Sequence, residues 1–97
     1  MLHILTSSPF SSRHLETCLR YSSHEDEIIL LQDAVLAALN HSESAAMLAA
    51  FKGKVYCLKE DAEARGVLDK LTQSVEIADM ARFVCLTSEH SQQINWQ

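Results

Sequence analysis

Glu27-Ile28-Ile29-Leu30-Leu31-Gln32-Asp33-Ala34-Val35 is the segment around which the chain is organised. Ile28 to Leu31 form a continuous apolar run with no polar alternation. A strand with one wet face alternates; a strand covered on both faces does not. The run therefore predicts a central parallel strand with helices packed on each side. Gln32 and Asp33 end it, and Asp33 is placed to cap a helix that begins at Ala34. Open α/β sheets tend to bind ligands at the C-terminal ends of such strands. For Asp33 itself the cap is preferred over a ligand role.

Working outward, Leu2-His3-Ile4-Leu5 reads as a first strand, followed by a Thr6–Phe10 loop and a helix capped by Ser11 or Ser12 and running to about Tyr21. Beyond the central strand, Ala34–Leu39 and Glu43–Phe51 read as two helical pieces split by Asn40-His41-Ser42. Their alanines favour helix and permit close approach to a sheet. Val55–Leu58 is a third strand. Glu60-Asp61 opens a short helix closed by Arg65, which complements its negative end, and by Gly66, which suits the left-handed position beyond it. Val75–Ala78 is a fourth strand, and Asp79 caps a last helix through about Ser88. On that helix the spacing puts Met80, Phe83, Val84 and Thr87 on one face, with Cys85 pointing away. The tail, Gln92 to Gln97, carries the only tryptophan, Trp96, either as an interface anchor or as a cover for its own sheet. Alternating strands and helices with short links predict an α/β fold: one domain over 1–97, a small three-layer open sheet, mostly parallel.

Ninety-seven residues bury about 60–70% of the surface that the unfolded chain exposes. That leaves little reserve, so a partner surface could add stability. The net charge of −5 argues against direct nucleic-acid binding, which depends on clustered Lys and Arg. The basic residues here are scattered. Met1 to Leu5 is too short for a signal peptide, and Ala45 to Phe51 is far below spanning length. With three cysteines and no Cys-x-x-Cys, the expectation is free thiols in a reducing cytoplasm, away from any membrane.

Two glycines, Gly53 and Gly66, leave no phosphate loop, and there is no Gly-x-Ser-x-Gly elbow. His3, His14, His24, His41 and His90 show no metal-site spacing, so no metal or cofactor is expected. Surface or cap roles suit most of them; His3, in a strand, reads as a satisfied core histidine rather than a catalytic one. Cys57 reads as a buried hydrophobe, and Cys85 as an exposed thiol or part of a partner contact. Cys18 lies on the flank of the first helix's apolar stripe. A sulfur-carrying thiolate must be reachable and lowered in pKa by nearby positive charge. Arg13, His14 and Arg20 are near in sequence, but Cys18 sits in mid-helix, and spacing alone favours a structural role.

Taken in order, Leu2-His3 with Ser8-Pro9-Phe10, Leu30-Leu31-Gln32-Asp33 with Val35 and Ala37-Ala38, Val55-Tyr56 with Leu58, Asp61 with Ala64-Arg65-Gly66, and Asp79, Phe83-Val84, Leu86-Thr87 and Trp96 carry a resemblance. The chain resembles the DsrH/TusB family of bacterial sulfur-relay subunits over nearly its whole length. The resemblance implies a DsrE/F/H-like fold and a role as one of three related subunits, assembled with DsrE/F-like (TusC- and TusD-type) sisters as a dimer of heterotrimers. Such a complex receives persulfide sulfur from an upstream carrier and passes it to a downstream one. The end use is either 2-thiolation of the tRNA wobble uridine or dissimilatory sulfur oxidation. The principal sulfur-carrying cysteine belongs to the D/E-type sister. Leu15-Glu16-Thr17-Cys18-Leu19 resembles the helix in which DsrH-type proteins have a cysteine, although some TusB-type proteins lack it. Cys18 thereby becomes a candidate auxiliary persulfide site, beside the reading of the subunit as a scaffold. Two rivals stand: an independent persulfide carrier working through Cys18, and an interaction module with no part in sulfur transfer.

Overall fold

The computed structural model of the chain describes residues 1–96. Among these, β1 (Leu2–Leu5), β2 (Glu27–Leu30), β3 (Lys54–Leu58), β4 (Glu76–Ala78) and β5 (Gln93–Trp96) form one sheet in the order β4-β3-β2-β1-β5. Every pairing is parallel. β2 is central, and Ile28, Ile29 and Leu30 are fully buried, as expected of a strand covered on both faces. Leu31 adds one more bond, donating to the Leu5 carbonyl at 2.8 Å.

The helices are α1 (His14–Tyr21), α2 (Glu43–Ala50), α3 (Lys59–Ala64) and α4 (Met80–Glu89), with 3-10 segments at Gln32–Ala38 and Leu68–Lys70. From β1 the chain steps through β2 and β3 to β4 in one direction, then returns across the sheet to β5. Right-handed crossovers put the three forward connections on one face and the return connection on the other. The core divides accordingly. Leu15 and Cys18 of α1, Val35, Leu48 of α2 and Ala62 of α3 pack on Leu5, Ile28, Leu30, Val55 and Cys57. Leu86 of α4 packs on Leu2, Ile4, Ile29, Tyr56 and Ala78, with Phe83 against the same cluster. The result is three layers, with α4 supplying the helix contacts to the second face.

Local chemistry explains three helix ends. Ser42 accepts from the Ala45 amide at 3.1 Å and caps α2, and Asp79 accepts from the Arg82 amide at 2.9 Å and caps α4. Gly66 follows α3 with φ +69°. Buried Ala34, Ala37, Ala38 and Ala45 let the second connection lie close on the sheet.

Four expectations need correction. Asp33 does not cap a helix at Ala34: the 3-10 segment starts at Gln32 and has no side-chain cap. Gln32, at φ +53°, turns the chain a residue earlier than expected. The Asp33 carboxylate instead accepts from Arg65 Nε at 2.9 Å. α1 begins at His14 with Arg13 rather than Ser11 or Ser12 in the cap position, although Ser12 Oγ accepts the His14 amide at 3.4 Å; the Ser8 carbonyl takes the amides of Ser11 and Ser12 in a preceding turn. On α4 the sheet-facing side is Phe83 and Leu86, while Met80 and Val84 are exposed. The tail also becomes strand β5, Gln93–Trp96, paired with β1; Gln97 lies outside the described residues.

Candidate functional site

In this topology the chain leaves β3 toward one face and β4 toward the other, so their C-terminal ends form the crevice where such sheets usually bind ligands. Here the crevice is filled by the chain's own carboxylates. Glu60 Oε2 accepts from the Met80 amide at 3.2 Å, and Asp79 takes the Arg82 amide. Beside it Asp61 Oδ2 accepts from the Gln32 amide at 2.6 Å. Arg65 bridges the same edge, donating to Asp33 and, through Nη1, to the Asp61 carbonyl at 3.4 Å. Two of the amides that open α4, those of Met80 and Arg82, are thus already bonded to acids, and a phosphate would have to displace them.

Cys18 is buried, not on a flank: the helix spacing left it at the edge of the stripe, but the rest of the first-face layer closes over it. Its Sγ lies 3.6 Å from Ser22 Oγ, which donates to the Cys18 carbonyl at 2.6 Å. Burial pushes the thiol up to about 11; Ser22 lowers it somewhat and the Asp26 charge raises it further. Arg13 and Arg20 are exposed, and His14 Nδ1 is taken by Ser7 Oγ at 3.0 Å. Neither access nor positive charge activates this sulfur in the folded chain. Ser22 also lines a surface groove of about 290 Å³ with His24 and Lys52. Cys57 is buried in β3 as expected, and burial with the Asp61 charge pushes its thiol up to about 12. Cys85 is exposed on α4.

The N-terminal end of the sheet holds the polar clusters that the sequence did not reveal. His3 is fully buried and satisfied, as expected of a core histidine. Its Nε2 lies 2.8 Å from Asp26 Oδ2, and its Nδ1 accepts from Trp96 Nε1 at 3.1 Å. Burial opposes ionisation of Asp26, but bonds from His3, the Ser23 amide and the Met1 ammonium hold its carboxyl below the usual range. On the opposite face His90 Nε2 meets Glu27 Oε1 at 2.6 Å, and the Tyr56 hydroxyl donates to Glu27 Oε2 at 3.1 Å. Burial raises Glu27, yet these two bonds bring it below its ordinary value. Arg82 extends the cluster, with its guanidinium 5.7 Å from the Tyr56 ring centre. The adjacent acids at the start of β2 were the available signal. Their partners, His3 and His90, are far away in sequence.

What remains open is surface. The outer side of α4 exposes Met80, Ala81, Val84, Cys85 and Ser88, none of them charged. Among the described residues no group of His, Cys, Asp and Glu is arranged to hold a metal ion, and no helix is long and apolar enough to cross a membrane. Both buried thiols are thus raised, and the crevice is occupied by the chain's own carboxylates.

Residues 7–93 match the family model described as DsrH like protein. Over 96 residues the chain is 42% identical to Protein TusB from Pectobacterium parmentieri and 35% identical to Protein TusB from Yersinia pestis, covering 99% of this chain and 100% of each relative. Among solved structures it resembles the ychN protein from E.coli, with TM-score 0.78, 21% identity and 97% of both chains covered. It also resembles a protein of unknown function from Methanobacterium thermoautotrophicum, with TM-score 0.71 at 17% identity, covering 97% of this chain and 95% of that one. At those identities the structural likeness speaks for the fold, and the sequence matches speak for the family. The chain belongs to the DsrH/TusB family.

Proposed function

We propose that this chain is a non-principal subunit of a cytoplasmic sulfur-relay complex. It completes a heterohexamer with TusC- and TusD-type sisters and shapes the surface on which carrier proteins dock. The sulfur ends as the 2-thio group of the tRNA wobble uridine. Family membership supports the relay assignment. The observation that carries the non-principal role is Cys18, buried and with its thiol raised to about 11. Sulfur transfer needs an acceptor thiolate to attack the outer sulfur of a donor persulfide. The new S–S bond forms as the donor's S–S bond breaks, and the donor cysteine leaves as a thiolate. A sulfur held as a buried thiol is a poor acceptor, so this step falls to a sister subunit's cysteine. The net charge of −5 fits a subunit that addresses proteins rather than tRNA.

A second reading, Cys18 as an auxiliary persulfide site, draws support from the groove that Ser22 shares with His24 and Lys52. The two separate in one experiment. The complex purified through this chain is loaded with sulfur by its upstream donor, and its persulfides are trapped and mapped. The proposal expects the label on a sister subunit and normal transfer in Cys18→Ser. Label on Cys18, lost together with transfer in that variant, makes this chain a carrier instead.

A further inference from the structure

We infer that the outer face of α4 docks a protein partner presenting an apolar surface flanked by lysine or arginine side chains. This rests on the subunit reading above and names the face through which the chain engages its neighbours. Met80 is 47% and Val84 56% exposed, one turn apart on the same side. Ala81, Cys85 and Ser88 complete an uncharged face over the first turns of the helix, bounded at its last residue by Glu89. A helix face that meets only water usually carries charged residues. α4 does have charges, but Arg82 is turned toward Tyr56 and Glu89.

The rim gives the partner its sign. Glu60 and Asp79 stand at the N-terminal end of this face, each spending a carboxylate oxygen on an α4 amide. Among the described residues neither carboxylate is in an ion pair. Their remaining oxygens complement cations, with exposed Lys59 the neighbouring positive group in sequence. A second copy of this chain also carries a net charge of −5 and so matches an acidic rim poorly. An anionic lipid surface would be repelled in the same way.

Cys85 is a native reporter on this face, because the other two thiols are buried. The tagged full-length chain is purified from its host with whatever it binds. Cys85 is then alkylated with iodoacetamide, in that material and in the isolated chain. We expect Cys85 to be protected roughly tenfold or more in the complex, as for a residue at the desolvated centre of an interface. Val84→Lys should lose the partner while keeping the thermal midpoint of the isolated chain. Glu60→Lys should weaken retention and flatten its dependence on salt. Equal labelling of Cys85 in free and bound chain overturns the inference, whether or not Val84→Lys folds. So does a folded Val84→Lys that keeps its partner, or protection in the isolated chain by a homodimer. A wild-type chain that brings down no partner removes the subunit reading as well. Partners retained with Cys85 fully labelled leave that reading intact and remove this face alone.

Discussion

The indole N–H of Trp96 donates to Nδ1 of His3 across 3.1 Å, and this bond decides where the imidazole keeps its proton. An indole can only donate, so Nδ1 accepts and Nε2 carries the hydrogen toward Asp26. The last residue of β5 is thereby tied to β1 and, through Asp26, to the loop before β2. Trp96→Phe keeps an aromatic ring but leaves a buried acceptor without its donor, at a cost of about 1–3 kcal/mol. Urea unfolding followed by circular dichroism measures it. An unchanged midpoint contradicts the assignment.

Acid should act through the two neighbouring carboxyls. Asp26 and Glu27 are held below their ordinary values of 3.8 and 4.5. Below those values the unfolded chain binds protons that the folded chain still refuses. The stabilisation is therefore present above about pH 4.5 and lost as pH falls through the folded pKa values. The Asp26→Asn, Glu27→Gln double variant should be less stable at pH 7 and show a flatter acid limb in urea midpoints. A limb as steep as wild type places the acid sensitivity elsewhere.

Thiol reactivity should divide one against two. At pH 8 Ellman's reagent should modify Cys85 rapidly and leave Cys18 and Cys57 untouched until urea unfolds the chain. Both buried thiols are raised above 9.0, so the protein keeps their full contribution below that pH. It should lose stability as pH climbs toward 11 and 12, because the unfolded chain ionises first. Rapid reaction of a second thiol in the folded chain would show that the α1 layer opens.

The two glycines should respond unequally to alanine. A Cβ at Gly53 would overlap the Asp26 carbonyl oxygen and approach the Phe51 ring to 2.7 Å. Because backbone cannot step aside cheaply, the loss should be on the order of 3 kcal/mol. Gly66 has open space around it but φ +69°, so its cost is backbone strain of about 1 kcal/mol. Thermal melts of the two variants rank them, and the reverse order would refute the packing account.

Much of the fold could be read in the sequence, because burial on both sheet faces leaves a local signature in Ile28 to Leu31. Capping chemistry marked Asp79 in the same way. β5 left a weaker mark: Gln93-Ile94-Asn95-Trp96 alternates polar and apolar as a half-buried strand does, but the run is only four residues long, and it pairs at the free edge of β1. Cys18 escaped for a related reason, since a helical wheel cannot report the neighbours that close over its flank. The α4 face shows the limit most clearly. Apolar spacing marked Met80 and Val84 as candidates for burial, but the ties of His90 to Glu27 and Arg82 to Tyr56, with Leu86 in the core, turn the helix so that they face outward. An apolar stripe that the chain does not bury itself is legible only once the fold is known.

A subunit of a larger relay should travel with its sisters through purification. Native mass spectrometry of the tagged chain purified from its own host decides whether it does. The expected species is a stable assembly in which this chain is stoichiometric with two related α/β subunits. Recovery of the chain alone, or only with copies of itself, would contradict the subunit reading.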